Sequence, residues 1–287
     1  NWMFLGSFEK FRKRLLQETT FVSLLDNGRG VFGSDFGSCA FVIANTIPAG
    51  AKTVFRRLFR KEGEVQHNRD IERSFKDCQL HREFRRTLVD LLSIPGAPIA
   101  YWVSADVKSM FTDLERLKDA ADPQVGLQTS DNQRFLRTWH EVEMSNLGLS
   151  CGSNAEANQS RKKWFPHNKG GGFRKWYGNR DLIVNWADDG REIKEFVDKQ
   201  YPYLKGNTDY VIKDRGYFFR EGAAWSHSTA SFFSARYSPV GAISNVEGPT
   251  LFSEDPFYFL GLLNSAPASL LMSILNPALH FLVGTVR

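Results

Sequence analysis

Residues 161–180 (RKKWFPHNKGGGFRKWYGNR) carry seven lysines and arginines and no acid, interleaved with Trp164, Phe165, Phe173, Trp176 and Tyr177. The glycines Gly170, Gly171 and Gly172 interrupt the run. Cationic side chains neutralise phosphates and release counterions, flat rings and guanidinium planes stack on bases, and glycines let backbone N–H groups approach a phosphate. The pattern therefore offers Lys162, Lys163, Lys169, Arg174 and Lys175 as phosphate contacts. The same composition also suits a basic surface loop whose tryptophans are anchored in a core, and composition alone does not separate the two readings.

Two further segments have residue types suited to recognition. Residues 126–142 (GLQTSDNQRFLRTWHEV) join Gln128, Thr129 and Asn132 to Arg134, Arg137 and Trp139. Asn and Gln can bind adenine bidentately and Arg can bind guanine, so this loop can read base edges. Equally, Asp131 and Asn132 can cap a helix that starts near Phe135. Residues 220–236 (REGAAWSHSTASFFSAR) place Ser226, Ser228 and other small hydroxyls between Arg220 and Arg236, a mix suited to positioning phosphates or to an exposed polar loop.

Self-sufficient catalytic chemistry is not visible. His67, Cys78 and His81 lack a second ligand pair at zinc spacing. Ser226 and His227 are sequence neighbours, which on an extended chain point to opposite faces. The stretch 28–37 (GRGVFGSDFG) is not G-x-G-x-x-G after a strand, and no G-x-x-x-x-G-K-[ST] occurs. Asp188 and Asp189 precede Gly190 and read as turn chemistry.

The elements that must position these residues belong to a globular chain. With 287 residues, 42% hydrophobic and 24% charged, it can form one large domain or two ordinary ones. The net charge of +5 is uneven: residues 161–180 carry +7, and beyond Arg236 the next basic residue is Arg287. Gathered positive charge favours a polyanion partner. Cys39, Cys78 and Cys151 are odd in number and widely spaced, as expected of free thiols in a reducing compartment. Residues 256–286 are uncharged over 31 positions, more than the roughly 20 that span a bilayer, but Asn264, Pro267, Asn276, Pro277 and His280 break the run. A buried amphipathic helix over 258–275 is the expectation, with no membrane. An opening Asn1 instead of Met suggests a fragment.

Periodicity predicts a mixed α/β fold: a strand at 2–5, a helix at 8–17, strands at 21–25 and 40–44, the last of them buried. Residues 53–92 are charge-dense and expected to be mostly helical. Pro95, Gly96 and Pro98 lead into a strand within 94–104, and 108–118 is expected to be helical. Short strands are expected at 183–186, 218–220, 231–237 and 242–244.

Taken in order, IPGAPIAYWVS, GLQTSDNQRFLRTWHEV, KWFPHNKGGGFRKWYGN, VNWADDG, AAWSHSTASFFSARYSPVG and LGLLNSAPASLLMSILNP resemble the C-terminal half of the PglX-type adenine-specific DNA methyltransferases of BREX phage defence, with restriction–modification enzymes as wider kin. The resemblance runs from about residue 2 to 284, and this chain has Ser130 where the family usually has Gly. It implies that 1–50 end a Rossmann-like methyltransferase sheet, 51–115 form a helical linker, and 116–287 form a mixed α/β target-recognition domain.

The resemblance also implies double-stranded DNA as partner in a bacterial cytoplasm, and S-adenosylmethionine as cofactor of the intact parent. The chain itself has neither the family's glycine-rich cofactor motif nor its Asn-Pro-Pro-Tyr; Asn276–Pro277 is followed by Ala278. No catalytic residue, bound cofactor or metal is therefore expected here, and the catalytic motifs are expected upstream of Asn1. Lys162, Lys163, Lys169, Arg174 and Lys175 would hold phosphates, and some of Gln128, Thr129, Asn132, Arg134, Ser226 and Arg236 would read bases. The tryptophans of 161–180 would hold that loop in shape. The alternative is a module that binds a defence-complex protein or an acidic phage inhibitor, with the tryptophans as interface anchors.

Overall fold

A computed structural model describes residues 2–286 apart from 34, 49, 62, 230–231 and 276–279. Asn276–Pro277 and the start of the strand expected at 231 thus lie outside the described residues. The chain divides into two units, Asn1–Leu114 and Glu115–Arg287, each described by itself.

The first unit contains α1 (Glu9–Glu18), β1 (Thr20–Arg29), β2 (Gly37–Ala44), β3 (Lys52–Arg57), α2 (Asn68–Lys76), β4 (Arg82–Thr87), α3 (Val89–Leu92) and α4 (Ala105–Asp113). Its sheet has the order β2-β1-β3-β4, with β1 and β3 parallel and the outer pairs antiparallel. Residues 51–115, expected as a helical linker, thus place two strands in the same sheet as β1. In β3 the buried positions are Thr53, Phe55 and Arg57, a period of two. Charge density hid that period, because Glu83 and Arg85 of β4 are partly exposed and Glu83 pairs with Arg56. Core residues include Leu16, Phe21, Leu24, Phe55, Leu91 and Tyr101.

Four further expectations for this unit are corrected. Residues 2–5 form a turn, because Arg12 is buried there and its guanidinium donates to the carbonyls of Trp2 and Leu5 as well as Gly96 and Ala97. That last pair also explains why 94–104 are buried irregular chain and not a strand. The strand at 40–44 is the sheet edge, with Phe41, Val42 and Ile43 exposed. Finally, α4 starts and ends earlier than the expected 108–118, with Ser104 capping it through its hydroxyl.

The second unit contains α5 (Leu117–Ala120), β5 (Asp122–Gln124), α6 (Asn132–Phe135), β6 (Leu136–Thr138), α7 (Asn154–Ser160), β7 (Trp164–Asn168), β8 (Leu182–Asn185), α8 (Ala187–Gln200), β9 (Gly222–Trp225), β10 (Ala235–Ser238), β11 (Ile243–Ser244), β12 (Thr250–Phe252), α9 (Pro256–Leu263), α10 (Ala266–Leu275) and α11 (Val283–Val286). Two sheets run β11-β7-β8-β6 and β10-β9-β12-β5. One core gathers Phe135, Phe165, Trp186, Ile193 and Phe219; the other gathers Trp225, Phe233, Leu251, Leu263 and Phe281. The molecule is mixed α/β, as expected.

Residues 218–220 are not a strand: Phe219 has a positive φ of 69°, and the strand begins at Gly222. The helix expected at 258–275 is two helices, α9 and α10, bent by 65°. Among the described residues, no single helix is long and apolar enough to cross a membrane. The Asp-Asp-Gly turn is present: Asp188, Asp189 and Gly190 are all left-handed (φ 51°, 61° and 71°). A Cβ on Gly190 would sit 2.5 Å from the buried Trp186 ring, so the position requires glycine. Asp189 pairs with Lys194 and Arg215 and fixes the turn against the chain after it.

Candidate nucleic-acid interface

The basic loop is launched from β7, which is buried from Phe165 to Asn168. His167 is fully enclosed; its Nδ1 donates to the carbonyl of Ile243 at 3.0 Å and its Nε2 accepts from Asn245 Nδ2 at 3.0 Å. Burial first, then the charge of Lys169, pushes its pKa down to about 3, so the imidazole is neutral. Asn168 donates to Ser238 Oγ at 2.7 Å. Gly170 follows with φ 80°, and a Cβ there would lie 2.3 Å from the Glu247 carbonyl oxygen, so only glycine lets the chain leave β7 here.

The loop then docks on the edge of the second sheet. Trp176 N–H donates to the Ala235 carbonyl at 3.0 Å, and Tyr237 N–H donates to the Trp176 carbonyl at 2.8 Å. Asn264 completes the edge: its side chain accepts from Ala235 N–H at 3.0 Å and donates to the Ala235 carbonyl at 2.9 Å. Ser226 Oγ donates to the Gly171 carbonyl, and Asn179 Nδ2 to that of Gly172, both at 2.8 Å. Backbone pairing thus covers β10, which is at the sheet edge, and rigidifies the loop.

This arrangement reverses the expected role of one tryptophan. Trp176 holds the loop through its backbone, while its side chain is 55% exposed, beside Tyr177 at 61%. Arg180 donates to the Tyr177 hydroxyl at 2.8 Å and lies 5.6 Å from its ring centroid. Arg174 is exposed and Lys169 partly exposed, and among the described residues neither forms an ion pair with a carboxylate. Lys175 instead turns inward, donating to the Asn264 carbonyl at 2.9 Å. Lys175 is therefore a docking residue in this conformation, not an open phosphate contact.

Lys162 and Lys163 sit at the opposite end of β7. Six residues of near-extended chain separate Lys163 from Lys169, about 20 Å at roughly 3.3 Å per residue. Lys162 donates to the Ser145 carbonyl and Lys163 pairs with Glu192 at 3.1 Å. Trp164 is half-buried, with Lys163 and Arg137 lying 5.9 and 5.7 Å from its ring. The single patch suggested by sequence is two clusters.

The proposed base readers divide similarly. Gln128 and Arg134 are exposed, though Arg134 packs over Phe135 and Phe196 at 5.1 and 5.3 Å. Asp131 caps α6 by accepting from the Arg134 N–H, so capping explains that part of the segment. Thr129 is buried and donates to Asn132 Oδ1 at 2.6 Å. Ser226 and Arg236 are buried as well. Thr129, Ser226 and Arg236 are therefore too enclosed in this conformation to lie along a base edge, and Thr129 and Ser226 support the loops from within. Ser226 and His227 form no nucleophile–base pair: His227 Nδ1 lies 3.1 Å from Ser228 Oγ and 3.4 Å from Glu247 Oε2. Among the described residues, no group of three or more His, Cys, Asp or Glu side chains is placed to hold a metal ion.

Sequence reading missed His167, Asn245, Asn264 and Glu247. His167 lay inside the noted stretch, and its position between Phe165 and Asn168 on a buried strand was the available signal. Asn264 had none, because its partner Ala235 is 29 residues away.

No protein-family model matches the chain. It is 31% identical over 293 aligned positions to the adenine-specific methyltransferase PglX of Lacticaseibacillus casei (strain Zhang), an alignment covering 99% of this chain and 24% of that protein. It is 32% identical over 298 positions to the adenine-specific methyltransferase BrxX of Escherichia coli O9:H4 (strain HS), covering 100% of this chain and 22% of that protein. The chain thus spans about a quarter of the length of these relatives. Among solved structures, the type IIG restriction endonuclease BpuSI aligns over 95% of this chain and 36% of its own, with 11% identity and a TM-score of 0.32.

Proposed function

Because the chain is homologous over its whole length to a segment of PglX-type adenine-specific methyltransferases, we propose that it grips double-stranded DNA for such an enzyme. The parent would transfer a methyl group from S-adenosylmethionine to adenine N6 in bacterial cytoplasmic phage defence, with the base flipped out of the duplex. This chain would supply target recognition and no methyl transfer of its own. The observation that carries the reading is the loop after β7: Lys169 and Arg174 without acidic partners among the described residues and Trp176 and Tyr177 exposed, all on a backbone fixed to β10. Fixed cations hold phosphates without being reorganised on binding, and exposed rings offer flat faces to bases.

The test is duplex binding by the chain and by Lys169→Glu combined with Arg174→Glu, followed by fluorescence anisotropy. The double variant is expected to bind at least about 30-fold more weakly, by similar factors on unrelated sequences. Unchanged affinity would remove the loop from the interface. The other reading, a contact with a defence-complex protein or an acidic inhibitor, is supported by the exposed Trp176 and Tyr177 as anchors.

A further inference from the structure

Among the described residues, buried arginines are compensated, with Arg236 as the exception. Arg12 is buried against the carbonyls of Trp2, Leu5, Gly96 and Ala97. Arg57 lies 4.3 Å from the Trp102 ring and 4.9 Å from that of Phe59, and donates to the Tyr101 hydroxyl, which in turn donates to Asp26. Arg236 is 3% exposed, yet the hydrogen bond it forms among the described residues is one, to Ser226 Oγ at 3.2 Å. Burial lowers its pKa to about 10 with no acid offsetting the effect, so it is still a cation at neutral pH. A guanidinium has five N–H donors, and no Arg236 nitrogen is among the fully enclosed atoms without a partner, so the donors that Ser226 leaves unused reach the molecular surface.

What lies next to it is suited to an anion. Ser226, the partner of Arg236, donates its hydroxyl proton to the Gly171 carbonyl, so the guanidinium is one hydroxyl away from the glycine turn. The N–H groups of Gly171 and Gly172 form no hydrogen bond among the described residues, and both glycines are exposed. No neighbour lies within 4 Å of the position a Cβ would take on Gly172. Trp176 pairs with Arg236 as a β-bridge, which closes the other side of the turn.

We propose that Arg236 and the turn at residues 170–172, tied together by Ser226, form a phosphate pocket that takes one backbone phosphate of DNA, the ligand supplying the negative charge that the protein lacks. The proposal rests on the reading of this face as a DNA interface and adds the anchoring point. Arg236 acts by charge at the phosphate and not at a base edge, so it fixes register without carrying sequence information.

The test compares the 287-residue chain with Arg236→Met in thermal unfolding, in chloride and in inorganic phosphate at matched ionic strength, alongside duplex affinity. Phosphate is expected to raise the wild-type Tm by a few degrees. Arg236→Met is expected to unfold in chloride at the wild-type temperature or above, because the uncompensated charge is gone. It should lose the phosphate shift and bind duplex about tenfold more weakly with unchanged sequence preference. A variant that is destabilised and keeps the shift would make Arg236 structural and overturn the pocket. A shift lost with duplex affinity intact would assign the pocket to a free anion and overturn the DNA assignment. Arg236→Gln, whose amide still reaches towards Ser226, must lose the shift too; if it does not, the proposal fails. Failure of the underlying DNA reading is distinct: wild type would then bind no duplex, whereas the phosphate shift would still be measurable.

Discussion

His167 shows how one buried residue orders a surface. Its imidazole joins β7 to β11 and to Asn245 and sets the point from which the basic loop departs. Burial holds its pKa near 3, below the ordinary 6.5. As pH falls below 6.5 the unfolded chain takes up a proton that the folded chain refuses, so stability drops from pH 6.5 down to about 3 and is level above that window. Between pH 6.5 and 5 the loss from this group alone is roughly 2 kcal/mol. Urea unfolding should show it as a lower midpoint at pH 5 than at pH 7, and His167→Gln should flatten that difference. An equally steep fall in the variant would place the acid sensitivity elsewhere.

At the scale of elements, the entry to α6 illustrates local conflict. Ser130 is left-handed, with φ 61°, and its buried hydroxyl lacks a hydrogen-bond partner among the described residues. A Cβ at this left-handed position is strained, by roughly 1–2 kcal/mol. Ser130→Gly removes both the strain and the orphaned hydroxyl, at some cost in unfolded-chain entropy. We expect a net gain of about 1 kcal/mol in urea unfolding; a loss would mean that the hydroxyl has a role in stability. The β10 edge illustrates the opposite case, local agreement built from distant parts. Trp176, Asn264 and Lys175 come from separate segments and converge on one strand edge, which is why the loop is ordered although its own sequence is rich in glycine.

For the whole molecule, the decisive quantity is where charge is left uncompensated. A net charge of +5 on 287 residues is modest, and several cations, such as Arg56, Lys76 and Lys163, are paired with carboxylates. Lys169, Arg174 and Arg236 are not paired with an acid among the described residues; the first two lie on the loop after β7 and Arg236 on β10, where that loop docks, which is the face we propose for DNA. If DNA meets that face through six or more phosphates, affinity should fall by roughly a thousandfold or more between 50 and 200 mM salt. An aromatic-anchored protein contact would shift far less, so a flat salt titration would favour the rival reading.

Composition and spacing by themselves determined the mixed α/β class, the concentration of positive charge at 161–180, the Asp-Asp-Gly turn and the lineage carried by long motifs. These are properties of contiguous residues, and contiguous residues are what a pattern can record. Only the tertiary structure decided that Lys52–Arg57 and Arg82–Thr87 are strands, because pairing of the first with β1 and of the second with the first overrides a charge pattern that reads as helix. It also decided that Lys162 and Lys163 stand apart from Lys169, that Lys175 turns inward, that the Trp176 ring faces out, and that Arg236 is enclosed. A side chain's direction and its compensation depend on partners tens of residues away, and no local spacing encodes them.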